Sequence, residues 1–283
     1  MFSRQEPEHS PEQQRFAPLA TAVSLISGAV NVVAEILLLP SLILAFFAAE
    51  LTPSYPLIGL VPALAASLWT LARVPAHLLI TRPARQQQWA FATALVRAGA
   101  MAVLAFATLR TSAALLLDSG RSLLLTFFLC LMVYTFASGL GSVPAAALAR
   151  MSTEPGAQTG LPVRRSLVGL AASVLGALLA ARLLGVGSPQ FPGNFGRLFL
   201  VAAVLLLALA ILTILQRPRP SQLTAPPAPF SFRLLALPLM DSRYLRYAGF
   251  RILLAATAAI DPFLFLYAVI RLGVPSSSIG VFI

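Results

Sequence analysis

Two carboxylates stand where carboxylates are costly. Glu35 lies near the middle of the apolar run Thr21 to Ala48, and Asp261 near the middle of another, from about Ala248 to Ile270. A charge at such a depth in a bilayer costs roughly 2.5–3.5 kcal/mol on insertion scales, so it faces a bundle interior or a watery cavity rather than lipid. Ser27, Asn31 and Glu35 follow at four-residue steps and share one helix face, as do Thr257 and Asp261. A carboxylate holds its proton more firmly in an apolar setting than beside water or a cation, so alternating exposure can load and release one. The expected chemistry is therefore binding of a proton or a cationic group at Glu35 or Asp261. Plainer roles stand beside it. Glu35 could be the fixed partner of Arg97 or permanently protonated, and Asp261, directly before Pro262, could cap or kink a broken helix.

A second polar face is weaker. Cys130, Tyr134, Ser138 and Ser142 recur every four residues along an apolar run, either lining the same cavity or packing on a neighbour. The sequence contains no H-E-x-x-H, no G-x-S-x-G and no glycine-rich phosphate loop, which argues against an intramembrane enzyme. The single cysteine, Cys130, excludes an intrachain disulfide and a cysteine metal cluster. Neither metal nor cofactor is expected.

The elements that must position these residues are membrane helices. The 283 residues are 58% hydrophobic and 10% charged, with mean hydropathy +0.86, beyond what a soluble core of this length needs. Thr21 to Ala48 is long enough to cross a hydrocarbon core of about 30 Å with tilt to spare. Residues 1–20 read as a cytoplasmic N-terminal tail, polar from Met1 to Arg15 and without the basic lead of a signal peptide, so the first run is expected to be retained as a span. Further spans are expected near 57–80, 90–109, 122–147, 166–186 and 198–215. Residues 217–247 hold Pro218, Pro220, Pro226, Pro227, Pro229 and Pro238 and read as a linker, with a short surface helix near 230–237. A seventh span and the start of an eighth occupy 248–283. On the fifth span, Gly169, Ser173, Ala177 and Ala181, beside Ala172, Gly176 and Ala180, form a small-residue packing face.

The formal charge of +11 does not point to nucleic acid, because the arginines are dispersed at the ends of apolar runs instead of forming one patch. With the N-terminus inside, Arg4, Arg15, Arg82, Arg85, Arg150, Arg164, Arg165, Arg217, Arg219, Arg233, Arg243 and Arg246 lie on the inner side. Only Arg110, Arg121, Arg197 and Arg271 lie outside. That asymmetry predicts a cytoplasmic N-terminus, in a bacterial inner membrane. Arg73 and Arg97 are expected to snorkel toward the inner interface.

The chain also repeats itself. Leu51 to Gly59 (LTPSYPLIG) and Leu272 to Gly280 (LGVPSSSIG) align at an offset of 221, each after a span with a central carboxylate and an internal proline, Pro40 or Pro262. Span seven thus restarts the pattern of span one, as in transporters built from two similar halves. At this point the chain resembles the major facilitator superfamily of secondary transporters, whose loop between helices two and three carries a pattern like G-x-x-x-D-R-x-G-R. The corresponding run here is His77-x-x-x-Thr81-Arg82-Pro83-Ala84-Arg85, with Arg82 and Arg85 matching and His77 and Thr81 replacing the glycine and aspartate.

The resemblance implies twelve helices in two six-helix halves, alternating access, a cavity lined by spans one, four and seven, and a gating loop at His77, Arg82 and Arg85. The expected fold is an all-α integral membrane protein: the six-helix N-terminal half of such a bundle, a linker, the seventh helix and the start of the eighth, with about 160 residues to follow. The expected function is secondary active transport of a small-molecule substrate, coupled to protons. The expected cavity residues are Ser27, Asn31, Glu35, Tyr134, Ser138, Thr257 and Asp261. The alternatives are a non-transporting scaffold or receptor, or an inactive transporter fragment.

Overall fold

A computed structural model describes residues 11–79, 83–111, 116–151, 161–185, 190–216, 240–243, 245–247, 249–250, 253, 260–274, 279 and 283. Among the described residues the chain is helical, without strands. The helices are α1 (Pro11–Leu37), α2 (Ala45–Leu51), α3 (Tyr55–Leu79), α4 (Pro83–Arg110), α5 (Leu116–Met151), α6 (Leu161–Leu184), α7 (Gly193–Leu215) and α8 (Asp261–Leu272). Six stretches are long and apolar enough to cross a bilayer: Ala20–Leu51, Tyr55–Ala76, Arg85–Arg110, Gly120–Met151, Val163–Leu184 and Gly193–Leu215. Their outward faces carry Leu125, Leu167, Leu178, Val204 and Ile211, each more than half exposed. Such a belt is stable against lipid and not against water. The chain is an integral membrane protein.

The first span is two helices. Pro40 lacks an N–H and pushes the residue before it out of the helical region, so Leu39 is extended at φ −61°, ψ 114°. A wide π-helical turn, Pro40–Leu44, restarts the chain into α2. The Leu38 and Leu39 N–H groups still reach the carbonyls of Ala34, Glu35 and Ile36, so the break leaves the end of α1 hydrogen-bonded. Glu35 therefore sits in the last turn before a break.

α1 packs on α6 and α7, α7 on α4, α4 on α5, and α5 on α3, while α3 returns to the first span through α2 and the turn before it. Close approach depends on missing side chains. A Cβ on Gly139 of α5 would overlap the backbone carbonyl of Trp69 on α3, and one on Gly141 would strike Thr93 of α4. Of the small-residue face on α6, Ala172 and Ala180 are buried, and a Cβ on Gly176 would meet Ile36 of α1 at 2.8 Å.

Several expected boundaries shift. α1 begins at Pro11, so the second half of the anticipated N-terminal tail is helical. The third span, expected from 90, is helical from Pro83. The run Gln86-Gln87-Gln88 reads as loop by hydropathy, yet the helix runs through it, and Gln87 finds partners there. The Gln87 amide lies 3.0, 2.9 and 2.7 Å from the carbonyls of Thr213, Ile214 and Gln216 and caps the end of α7. Gln87→Ala should lower the unfolding free energy by about 0.5–1.5 kcal/mol, the net worth of a hydrogen bond. Thermal unfolding in detergent reads this, and an unchanged midpoint would remove the cap from the account. Of the expected linker 217–247, residues 217–239, with the expected surface helix, lie outside the described residues. In the expected seventh span Ile260 is a turn residue and α8 starts at Asp261.

Candidate functional site

The opposite ends of the bundle differ in chemistry. The half containing α2 is filled with phenylalanine. The Phe47 ring lies 5.1 Å from Phe127, Phe195 and Phe199, and Phe46 lies 5.3 Å from Phe265 of α8. All of these rings are buried, and such edge-to-face and tilted pairs add to the area they bury. The half toward the start of α1 encloses a cavity of about 690 Å³, lined by all six spans. It reaches from the break at Leu38–Ser41 to Arg165 and Gln216, which stand at the N-terminal face of the bundle.

Its polar lining begins on α1. Ser27, Asn31 and Glu35 all face the cavity, as their spacing requires. The Asn31 amide nitrogen donates to Glu35 Oε1 at 3.0 Å, four residues on. Arg97 of α4 completes the cluster. Its Nη1 donates to Asn31 Oδ1 at 3.0 Å, its Nη2 donates to Tyr134 Oη of α5 at 3.3 Å, and Nη2 lies 3.5 Å from Glu35 Oε1. The guanidinium carbon is 5.2 Å from the centre of the Tyr134 ring. The Glu35 side chain is 48% exposed and that of Arg97 8%. The carboxylate is thus reachable from the cavity, while its cation is held in the wall. Ser27 is tied separately, accepting from Gln216 Nε2 at 2.6 Å and donating to the Ser24 carbonyl at 3.0 Å.

The structure brings together five of the expected cavity residues, Ser27, Asn31, Glu35, Tyr134 and Ser138. Ser142 also lines the cavity, but its hydroxyl donates to the Gly139 carbonyl of its own helix at 2.8 Å. Cys130 is buried in the apolar core. Asp261 is not among the cavity residues. It is exposed in the first turn of α8, with Pro262 beside it, the place where a carboxylate suits the positive end of a helix. Thr257 and Arg82 lie outside the described residues, as does the His77 side chain. Arg85 is exposed near the start of α4.

Arg97 corrects a sequence expectation. It does not snorkel but is 7% exposed and turned into the bundle. With the third span beginning near Arg85 and not at 90, Arg97 falls at its middle, too far from either interface to reach water. A correct start for that helix would have revealed it. Arg73, by contrast, is exposed and lies 4.4 Å above the ring of Trp69. Trp69, Arg165 and Gln216 also line the cavity without having been singled out, because no local spacing marks them. Among the described residues, no cluster of three or more histidine, cysteine or acidic side chains could hold a metal ion.

No known family model, curated protein or solved structure matches this chain.

Proposed function

We propose that this chain forms the cavity-bearing half of a secondary active transporter of the major facilitator kind, in which a small solute crosses by alternating access and Glu35 carries a coupled proton. One observation carries the reading: a cavity of about 690 Å³ inside a bundle of six membrane-spanning stretches contains a half-exposed carboxylate beside a buried arginine. Soluble-side access to a charge at mid-span is costly to build and marks ion or substrate pathways. The broken first span and the phenylalanine packing of the opposite half support it, since a cavity closed at one end is one state of an alternating-access cycle. When Glu35 takes a proton its attraction for Arg97 is lost, and the guanidinium keeps Asn31 and Tyr134 as neutral partners. The ion pair is thus the element whose rearrangement would couple proton to solute.

Full-length protein in proteoliposomes containing a pH-sensitive dye tests this. Addition of a transported solute should move protons, and Glu35→Gln should abolish the proton movement while solute binding persists. Equal proton flux in Glu35→Gln would overturn the coupling role. A static polytopic protein is the second reading, favoured by the contacts that hold Arg97 to Asn31, Tyr134 and Glu35. It predicts that no solute of any charge class moves protons or exchanges across the membrane.

A further inference from the structure

The cavity's charge is unbalanced. Among the described residues its lining holds two arginines, Arg97 and Arg165, against one carboxylate, Glu35. Glu35 is already engaged by Arg97 and Asn31. Arg165, half-buried in the second turn of α6, takes part in no ion pair among the described residues. Its guanidinium lies beside Gly28 of α1, with Nη2 3.9 Å from where a Cβ would stand, and both residues line the cavity wall. The same lining includes the partly exposed indole of Trp69, over which Arg73 lies, and most of the remaining lining is apolar. A cation bound here would meet a net positive wall. An anion on an apolar body would gain a charge-assisted contact in a site of reduced dielectric.

We infer that the solute is an amphiphilic anion, a carboxylate or phosphate on an apolar or aromatic body, with Arg165 meeting the anionic group and Trp69 the body. The inference rests on the reading of the cavity as a solute site, and its test measures binding, not flux, so the two can fail separately. Trp69 and Trp89 are the only tryptophans in the chain, and of the two only Trp69 lines this cavity. Trp89→Phe protein in zwitterionic lipid nanodiscs therefore reports occupancy through one indole. The probes are 4-nitrobenzoate, the neutral 4-nitrobenzamide and the cationic 4-nitrobenzylammonium, three quenchers of nearly the same size.

Saturable quenching by nitrobenzoate is expected at a concentration at least about ten-fold lower than by either analogue, the scale of one hydrogen bond to a charged group. Arg165→Gln should bring the three within about two-fold of one another, whereas Arg165→Lys and Arg164→Gln should keep the anion's advantage. The lysine variant separates lost charge from lost folding. Equal quenching by all three probes, a preference for the ammonium, or no saturable quenching overturns the inference. So does abolition of the nitrobenzoate signal by anionic phosphatidylglycerol in the disc, which would assign Arg165 to a lipid headgroup.

Discussion

Arg97→Met is expected to destabilise the protein and abolish solute-driven proton movement. Methionine keeps an unbranched apolar stem and removes every donor. Asn31 Oδ1 and Tyr134 Oη lose their bonds from Arg97, and Glu35 keeps only the amide of Asn31. Removing one member of a fully buried ion pair costs about 3–5 kcal/mol, because an unpaired charge remains. The Glu35 side chain is 48% exposed to the cavity, so water supports the stranded carboxylate and a loss of about 1–3 kcal/mol is expected. The double variant Glu35→Gln/Arg97→Met should be more stable than Arg97→Met alone, since no charge is then stranded. Chemical unfolding of the four proteins in one detergent measures the coupling. Strictly additive losses would show that the two side chains are neighbours without interacting.

Gly139→Ala should be as damaging for a different reason. The added methyl meets the backbone carbonyl of Trp69, and no side-chain rotation relieves that contact. α3 and α5 must separate, which loosens the wall carrying Trp69 and spoils the cavity. Overpacking of this kind costs about 1–3 kcal/mol, and rigid backbone on one side places it at the upper end. Gly120→Ala, on the same helix with nothing within 4 Å of the new methyl, is the control. It should be neutral or slightly stabilising, because alanine favours a helix over glycine by about 0.5–1 kcal/mol. Equal thermal midpoints for the two variants would remove the close crossing from the account.

Much of the frame was legible without coordinates. Runs of 20 or more apolar residues must be helical in lipid, where each backbone N–H and C=O needs a partner within its own segment. The three-residue face of Ser27, Asn31 and Glu35 follows from 3.6 residues per turn, and the break near Pro40 from the geometry of proline. The polar start of the third span was misread because hydropathy weighs side chains, whereas the helix there runs through Gln87, whose partners lie at the end of α7.

Pairings between helices depend on something no local pattern holds, the rotation of each helix about its axis and the closeness of each crossing. Asn31 and Arg97 are 66 residues apart and Ser27 and Gln216 are 189 apart. They meet because α4, α5 and α7 pack side by side at places where glycine admits a neighbour's backbone or side chain. The sequence by itself determined which segments span the membrane and which face of the first span is polar, since both are set by periodicity within a helix. Only the tertiary structure decided that Arg97 is the partner of that face and that Arg165 stands in the same cavity, since both depend on packing between helices distant in sequence.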